Sequence, residues 1–176
     1  ATKMSADNFN AFKSNNYPSL AKIGLGIHFN YDALMRAQVK RPLKVQYAMD
    51  TGVMFLDLNP GITETTLRHQ LSTPGIKGIV LKTFGSGNAP TASWFTDAVR
   101  EAVERGIVIL TQCVNGGVHS KRYDSGERLA GTGVISGHDI TSEAAITKMM
   151  YLFGLGLAPA DVRRYLNCSL CGEVTM

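Results

Sequence analysis

Gly85-Ser86-Gly87-Asn88 follows the apolar run Gly78 to Leu81 and precedes a segment of helical period starting after Pro90. Two glycines allow a backbone to come close to a ligand, and an Asn amide carries donors and an acceptor together. In open parallel sheets such loops leave the carboxyl ends of strands, which is where ligands bind. A second loop of the same kind, Cys113-Val114-Asn115-Gly116-Gly117-Val118-His119, follows the next apolar run. The two loops suit a small polar molecule bearing a carboxylate or an amide. They do not form a dinucleotide fingerprint, because the third glycine and the downstream acid are missing. A tight strand-to-helix turn explains the same residues equally well.

A set of groups that would break bonds is harder to find. The sequence has no GxSxG elbow, no P-loop and no HExxH. His28, His69, His119 and His138 are dispersed and read as surface or hydrogen-bonded histidines. Cys113 ends an apolar run, which implies a buried thiol and argues against a dyad with His119. Tyr123, Asp124 and Glu127 read as solvated residues of a polar loop. Cys168 and Cys171 have CxxC spacing but no second pair and no neighbouring His, and they do not open a helix after a strand. Neither metal nor cofactor is therefore expected, and three cysteines in all fit a reducing compartment better than a disulfide scaffold. The residues amount to half a site, able to hold a molecule and not to cut it.

The elements that must position these loops are legible from the pattern. At 176 residues with 44% hydrophobic content, the chain has the size and composition of one globular domain, or of one domain with an extension. The net charge of +4 comes from scattered residues such as Lys40, Arg41 and Lys44, Lys121 and Arg122, or Arg163 and Arg164. No basic run interleaves with aromatics, so nucleic acid is not an expected partner. No apolar run approaches the roughly 20 residues of a membrane span. From Ser5 to Leu20 the sequence is polar, Asn-rich and of extended, loop-like composition, with isolated aromatics at Phe9, Phe12 and Tyr17; the stretch that follows has no strong period and reads as a connector, with no independent core before about Lys44. Beyond it, Val45–Met49, Val53–Leu58, Gly78–Phe84, Gly106–Cys113 and Gly133–Ser136 read as strands. Ile62–Ser72, with Thr63 as N-cap, the amphipathic segment after Pro90, Ser142–Phe153 and a segment starting at Pro159 read as helices. Strands alternating with helices predict an open three-layer α/β sandwich, Rossmann-like, with a mostly parallel sheet of about four or five strands.

Seven segments, in order along the chain, carry a resemblance to a known family. They are Thr2-Lys3, Phe9-Asn10-Ala11-Phe12, Asn16-Tyr17-Pro18, Asn59-Pro60-Gly61-Ile62, Gly85 to Pro90, Thr111-Gln112-Cys113 and Gly172-Glu173-Val174-Thr175. Through them the chain resembles the C-terminal part of the bacterial-type L-asparaginases, most closely the cytoplasmic type I enzymes. That resemblance implies hydrolysis of L-asparagine to aspartate and ammonia, without a cofactor, by a threonine nucleophile. It implies active sites between the subunits of a homodimer, often paired into a tetramer, and a cytoplasmic location. The family's catalytic groups belong to an N-terminal domain with TGGTI-like and GTDT-like motifs, and neither motif occurs in this sequence. Residues 1–4 are then expected to be the remnant of that domain's last strand, 5–43 the interdomain connector and 44–176 the C-terminal domain.

The same resemblance assigns roles to individual residues. Asn88 is expected to reach across the dimer and fix the α-amino or carboxylate end of a neighbour's substrate. Thr2, Lys82 and Cys113, with Thr111 and Gln112 beside them, match the allosteric asparagine site of type I enzymes. The regulated member of the family carries Arg at the position of Lys82; lysine keeps the charge but lacks the bidentate fork. On this reading the chain is inactive alone and completes an active site. The alternative is a non-enzymatic module that binds a small amino acid or dimerises.

Overall fold

The structure is a computed structural model that describes residues 2–36, 42–113 and 124–175. In chain order its elements are β1 (Thr2–Lys3), β2 (Phe12–Lys13), β3 (Ala21–Ile23), β4 (Ile27–Phe29), β5 (Val53–Asp57), α1 (Glu64–Leu71), β6 (Gly78–Lys82), α2 (Ser93–Glu104), β7 (Val108–Gln112), α3 (Asp124–Ala130), β8 (Ile135–Ser136), α4 (Ser142–Gly154) and α5 (Pro159–Leu166). The strands β5, β6, β7 and β8 lie side by side in chain order and pair in parallel, with Val53 opposite Gly78, Gly78 opposite Val108 and Leu110 opposite Ile135. Parallel neighbours need crossovers, and here the crossovers are the helices α1, α2 and α3.

Period-two alternation sorts the strand side chains into two cores. Ile79, Leu81 and Ile109 join Leu67 and Leu71 of α1, Phe95, Ala98, Val99 and Ala102 of α2, and Leu129 of α3. Val80, Val108, Leu110 and Ile135 join Ala145, Met149 and Leu152 of α4, and Val162 and Leu166 of α5. A sheet covered on both faces needs continuous apolar strands, which is why β6 and β7 are buried almost throughout. The result is the expected three-layer α/β sandwich, with four strands in its parallel sheet. Among the described residues no helix is long and apolar enough to cross a membrane.

Local signals set the helix boundaries. Thr63 caps α1, its hydroxyl accepting the Thr66 N–H at 3.2 Å. Gly106 follows α2 with φ of +92°, the left-handed conformation that ends many helices. Pro159 opens α5, where its missing N–H is not needed.

Three expectations need correction. Val45–Met49 is not a strand. The segment runs along α4 instead, held by Gln46 Nε2 donating to the Gly154 carbonyl and by the Asp50 N–H donating to the Met150 carbonyl at 3.0 Å. Gly154 permits this approach, since a methyl group there would collide with the Ala48 carbonyl. The stretch before Lys44 is also less extended than its composition implies, because β1–β2 and β3–β4 are two antiparallel pairs. Ala33 is nevertheless the one buried residue described before Lys44, and Phe9, Phe12, Ile23, Leu25, Ile27 and Phe29 are exposed. Finally, Asp124 and Glu127 belong to α3 and not to a loop.

Candidate functional site

Where β6 ends, the chain folds back on itself before α2 begins. The Phe84 N–H donates to the Asn88 carbonyl and the Asn88 N–H to the Phe84 carbonyl, each at 2.9 Å. Inside this closed turn Gly85 has φ of +48° and Gly87 of +115°, a region that side chains with a Cβ avoid. Beneath it the buried Thr83 hydroxyl donates to the Gln112 carbonyl at 3.1 Å, which ties the turn to β7. Beyond it Ala89 is buried in the core under α1 and α2. Asn88 is left half-buried between these anchors, and its Oδ1 accepts the Ser125 hydroxyl of α3 at 3.2 Å. The two readings of this stretch are thus compatible, because a tight strand-to-helix turn is what holds the Asn88 amide in place.

A second group lies at the carboxyl edge of the sheet on the α4 side. Asp57, Lys82 and Gln112 are register partners on β5, β6 and β7. Lys82 Nζ is 3.1 Å from Asp57 Oδ1 and 4.7 Å from the centre of the Phe55 ring. The buried Gln112 amide donates to the Cys113 and Ile140 carbonyls and accepts the Ser142 hydroxyl at 2.9 Å. Ser142 opens α4, and at the next residue Glu143 Oε2 accepts the Thr2 hydroxyl at 2.9 Å. Thr2 and Gln112 therefore meet the first turn of α4, with Lys82 beside Gln112. Thr111 is buried and donates to the Ile135 carbonyl at 3.2 Å. Cys113 is 2% exposed, and burial pushes its thiol up, which keeps it protonated rather than nucleophilic.

The remaining candidates do not converge. His28 on β4 and His69 on α1 are exposed, while His138 lies after β8 with φ of +50°. The loop after Cys113, His119 and Tyr123 included, lies outside the described residues, as do Lys40, Arg41, Lys121 and Arg122. Cys168 and Cys171 are exposed free cysteines. Among the described residues no group of His, Cys, Asp and Glu is arranged to hold a metal.

Two features escaped the reading of the residues. Ser125 was hidden because nothing local marks a hydroxyl 37 positions from its partner. The other is a buried ion pair, Lys148 Nζ to Glu173 Oε1 at 2.6 Å. A signal for it existed: Lys148 falls three residues after Ala145 and four before Leu152, on the apolar face of α4.

The fold is thus an open parallel α/β sheet with an amide, hydroxyls and an ammonium at its carboxyl edge, the edge at which such sheets place their ligands. Residues 52–166 match the glutaminase/asparaginase C-terminal domain, and the chain belongs to that family. It is 35% identical to L-asparaginase 1 of Escherichia coli, over 99% of this chain and 52% of that protein. It is 41% identical to the 60 kDa lysophospholipase of Mus musculus, over 99% of this chain and 31% of that protein. The crystal structure of L-asparaginase I from Vibrio cholerae superposes with a TM-score of 0.89 at 34% identity, covering 99% of this chain and 53% of that one. The chain spans about half the length of these asparaginases, or less of the longer relative.

Proposed function

We propose that this domain completes the active site of an L-asparaginase, an amidohydrolase that converts L-asparagine to L-aspartate and ammonia. The threonine nucleophile comes from a separate N-terminal domain, and residues 5–43 connect the two. The enzyme works as a cytoplasmic homodimer or tetramer in which Asn88 of one subunit faces the substrate of another. The observation that carries this reading is the fixed, half-buried Asn88 amide in the turn that follows β6. A group held in this way orients a substrate without touching the scissile bond, and orientation is a large part of catalysis.

Alone, the chain is expected to release no ammonia from L-asparagine above background. Joined to a threonine-bearing N-terminal domain it should release ammonia with saturable kinetics. Losing a hydrogen bond to a charged group costs about 1.5–3 kcal/mol, so Asn88→Ala in the joined protein should lower kcat/KM by roughly 10- to 100-fold. An equal rate from the isolated chain would show that the missing groups are not needed.

The row Asp57, Lys82 and Gln112 favours a further role, an allosteric asparagine site formed by Thr2, Lys82, Thr111, Gln112 and Cys113. In it Lys82 exchanges Asp57 for the ligand's carboxylate beside the buried Gln112 amide, and the buried Thr111 and Cys113 flank Gln112 along the chain. Calorimetry with L-asparagine on the joined protein should show a second binding event that Lys82→Ala removes. Equal heats from both proteins would take Lys82 out of the site.

A further inference from the structure

Asn88 is the half of the amide turn that a substrate would meet, but a side-chain amide can point either arm at a ligand. The structure shows what decides between them. Asn88 Oδ1 accepts the Ser125 hydroxyl at 3.2 Å, and Ser125 sits in the first turn of α3. Both partners are anchored independently. The backbone of Asn88 is closed onto Phe84. α3 is held at its last turn by Leu129, which is 2% exposed in the core beneath, and by Arg128, whose Nη1 reaches the Thr91 carbonyl just past the Asn88 turn at 3.5 Å. An amide carries its oxygen and its NH₂ group on opposite arms, so engaging the oxygen towards α3 turns the two N–H donors the other way.

We propose that Ser125 is a positioning residue that locks Asn88 as a hydrogen-bond donor, and that Asn88 therefore grips the α-carboxylate of the neighbouring subunit's substrate and not its ammonium. A carboxylate accepts hydrogen bonds only, and a donor held ready for it makes a charge-assisted bond without first losing rotamer freedom. An ammonium would require the oxygen arm, which the Ser125 bond holds turned towards α3. The inference rests on the asparaginase reading of Asn88.

The test has a structural arm and a kinetic arm. In the ¹⁵N-labelled chain, Ser125→Ala should shift the Asn88 side-chain NH₂ pair, assigned through its loss in Asn88→Ala. Ser125→Thr, which keeps the hydroxyl, should return the pair towards its original position. In the protein joined to its threonine-bearing half, Ser125→Ala should raise KM for L-asparagine about fivefold, the worth of one neutral hydrogen bond, with kcat within about twofold. Ser125→Thr should restore KM. The Ser125→Ala effect should vanish in an Asn88→Ala background, because the two residues act in series. Succinamic acid, which keeps the carboxylate and lacks the α-amino group, should lose inhibitory affinity in Asn88→Ala; 3-aminopropanamide, which lacks the carboxylate, should not. An unshifted amide pair, or a KM effect of Ser125→Ala that persists without Asn88, overturns the positioning role. The opposite pattern with the two analogues overturns the carboxylate assignment. If Asn88→Ala itself leaves KM unchanged, the asparaginase reading of Asn88 fails, and this inference fails with it.

Discussion

Replacing Lys148 by Met is expected to destabilise the domain by about 3–5 kcal/mol, the usual cost of removing one partner from a buried ion pair. The Lys148 and Glu173 side chains are 4% and 8% exposed, and Nζ lies 2.6 Å from Oε1. The environment is built around the charges. Lys148 Nζ also donates to the Cys168 carbonyl, and the Glu173 carboxylate accepts the N–H groups of Leu170 at 3.1 Å and Cys171 at 2.8 Å. Burial pushes the Glu173 carboxyl up, but the Lys148 bond and the backbone N–H groups outweigh it and bring the value down to about 2. Methionine would leave a carboxylate buried with no cation beside it. Urea unfolding at neutral pH should show a lower midpoint with an unchanged slope. An unchanged midpoint would mean that the pair is not buried in solution.

The same pair fixes a pH dependence and its sign. A carboxyl whose folded pKa is depressed stabilises the fold above its unfolded pKa, and the contribution is lost as pH falls towards the folded value. For Glu173 the loss should run from the ordinary value of 4.5 down to about 2. In Lys148→Met the dependence should weaken or reverse, because protonation then relieves an unpaired buried charge. The stability gap between the two proteins should therefore narrow on acidification. What the pair secures is the tail. Glu173 holds the stretch after α5 against α4, and the Thr175 N–H donates to Asp139 Oδ1 at 2.7 Å.

The sheet was readable because its strands are buried on both faces, which leaves runs such as Gly78 to Leu81 with no polar interruption. Helix ends were readable wherever one residue type does a job others do badly, as at Thr63, Gly106 and Pro159. The misreadings have a common cause, since composition does not say which partner surface is free. Val45–Met49 has strand composition, but the segment is taken up by the carbonyls of α4, and among the described residues β5 pairs with β6 alone. Asp124 to Ala130 has loop composition with an internal glycine, but the buried Leu129 draws it into a helix. At the candidate site, the loop ending at Asn88 was legible as suited to a carboxylate or an amide, whereas Lys82 entered only through the family resemblance. The orientation of the Asn88 amide was not, because Ser125 reaches it through the fold and not along the chain.

The second large effect is expected from Phe95→Ala, about 3–5 kcal/mol, because the site cannot collapse around the void. Phe95 is fully buried among Leu67, Leu71, Ile79, Leu81 and Val99, with the Trp94 ring edge-on at 6.0 Å between centroids. Its position matters as much as its size. The N-cap of α2 is Ala92, which offers no side-chain cap, so packing by Phe95 must fix the start of this helix. The Asn88 turn immediately precedes it and shares its core through Ala89. A cavity at Phe95 should therefore loosen the turn together with the helix. Hydrogen exchange at the Phe84 and Asn88 amides should rise in Phe95→Ala beyond what the global loss of stability explains, while the α4 side of the sheet follows the global value. Phe95→Leu, which fills most of the volume, should cost a fraction of the alanine loss and leave the turn protected. A uniform rise across both faces would mean that the turn is held by its own hydrogen bonds and that α2 only covers it.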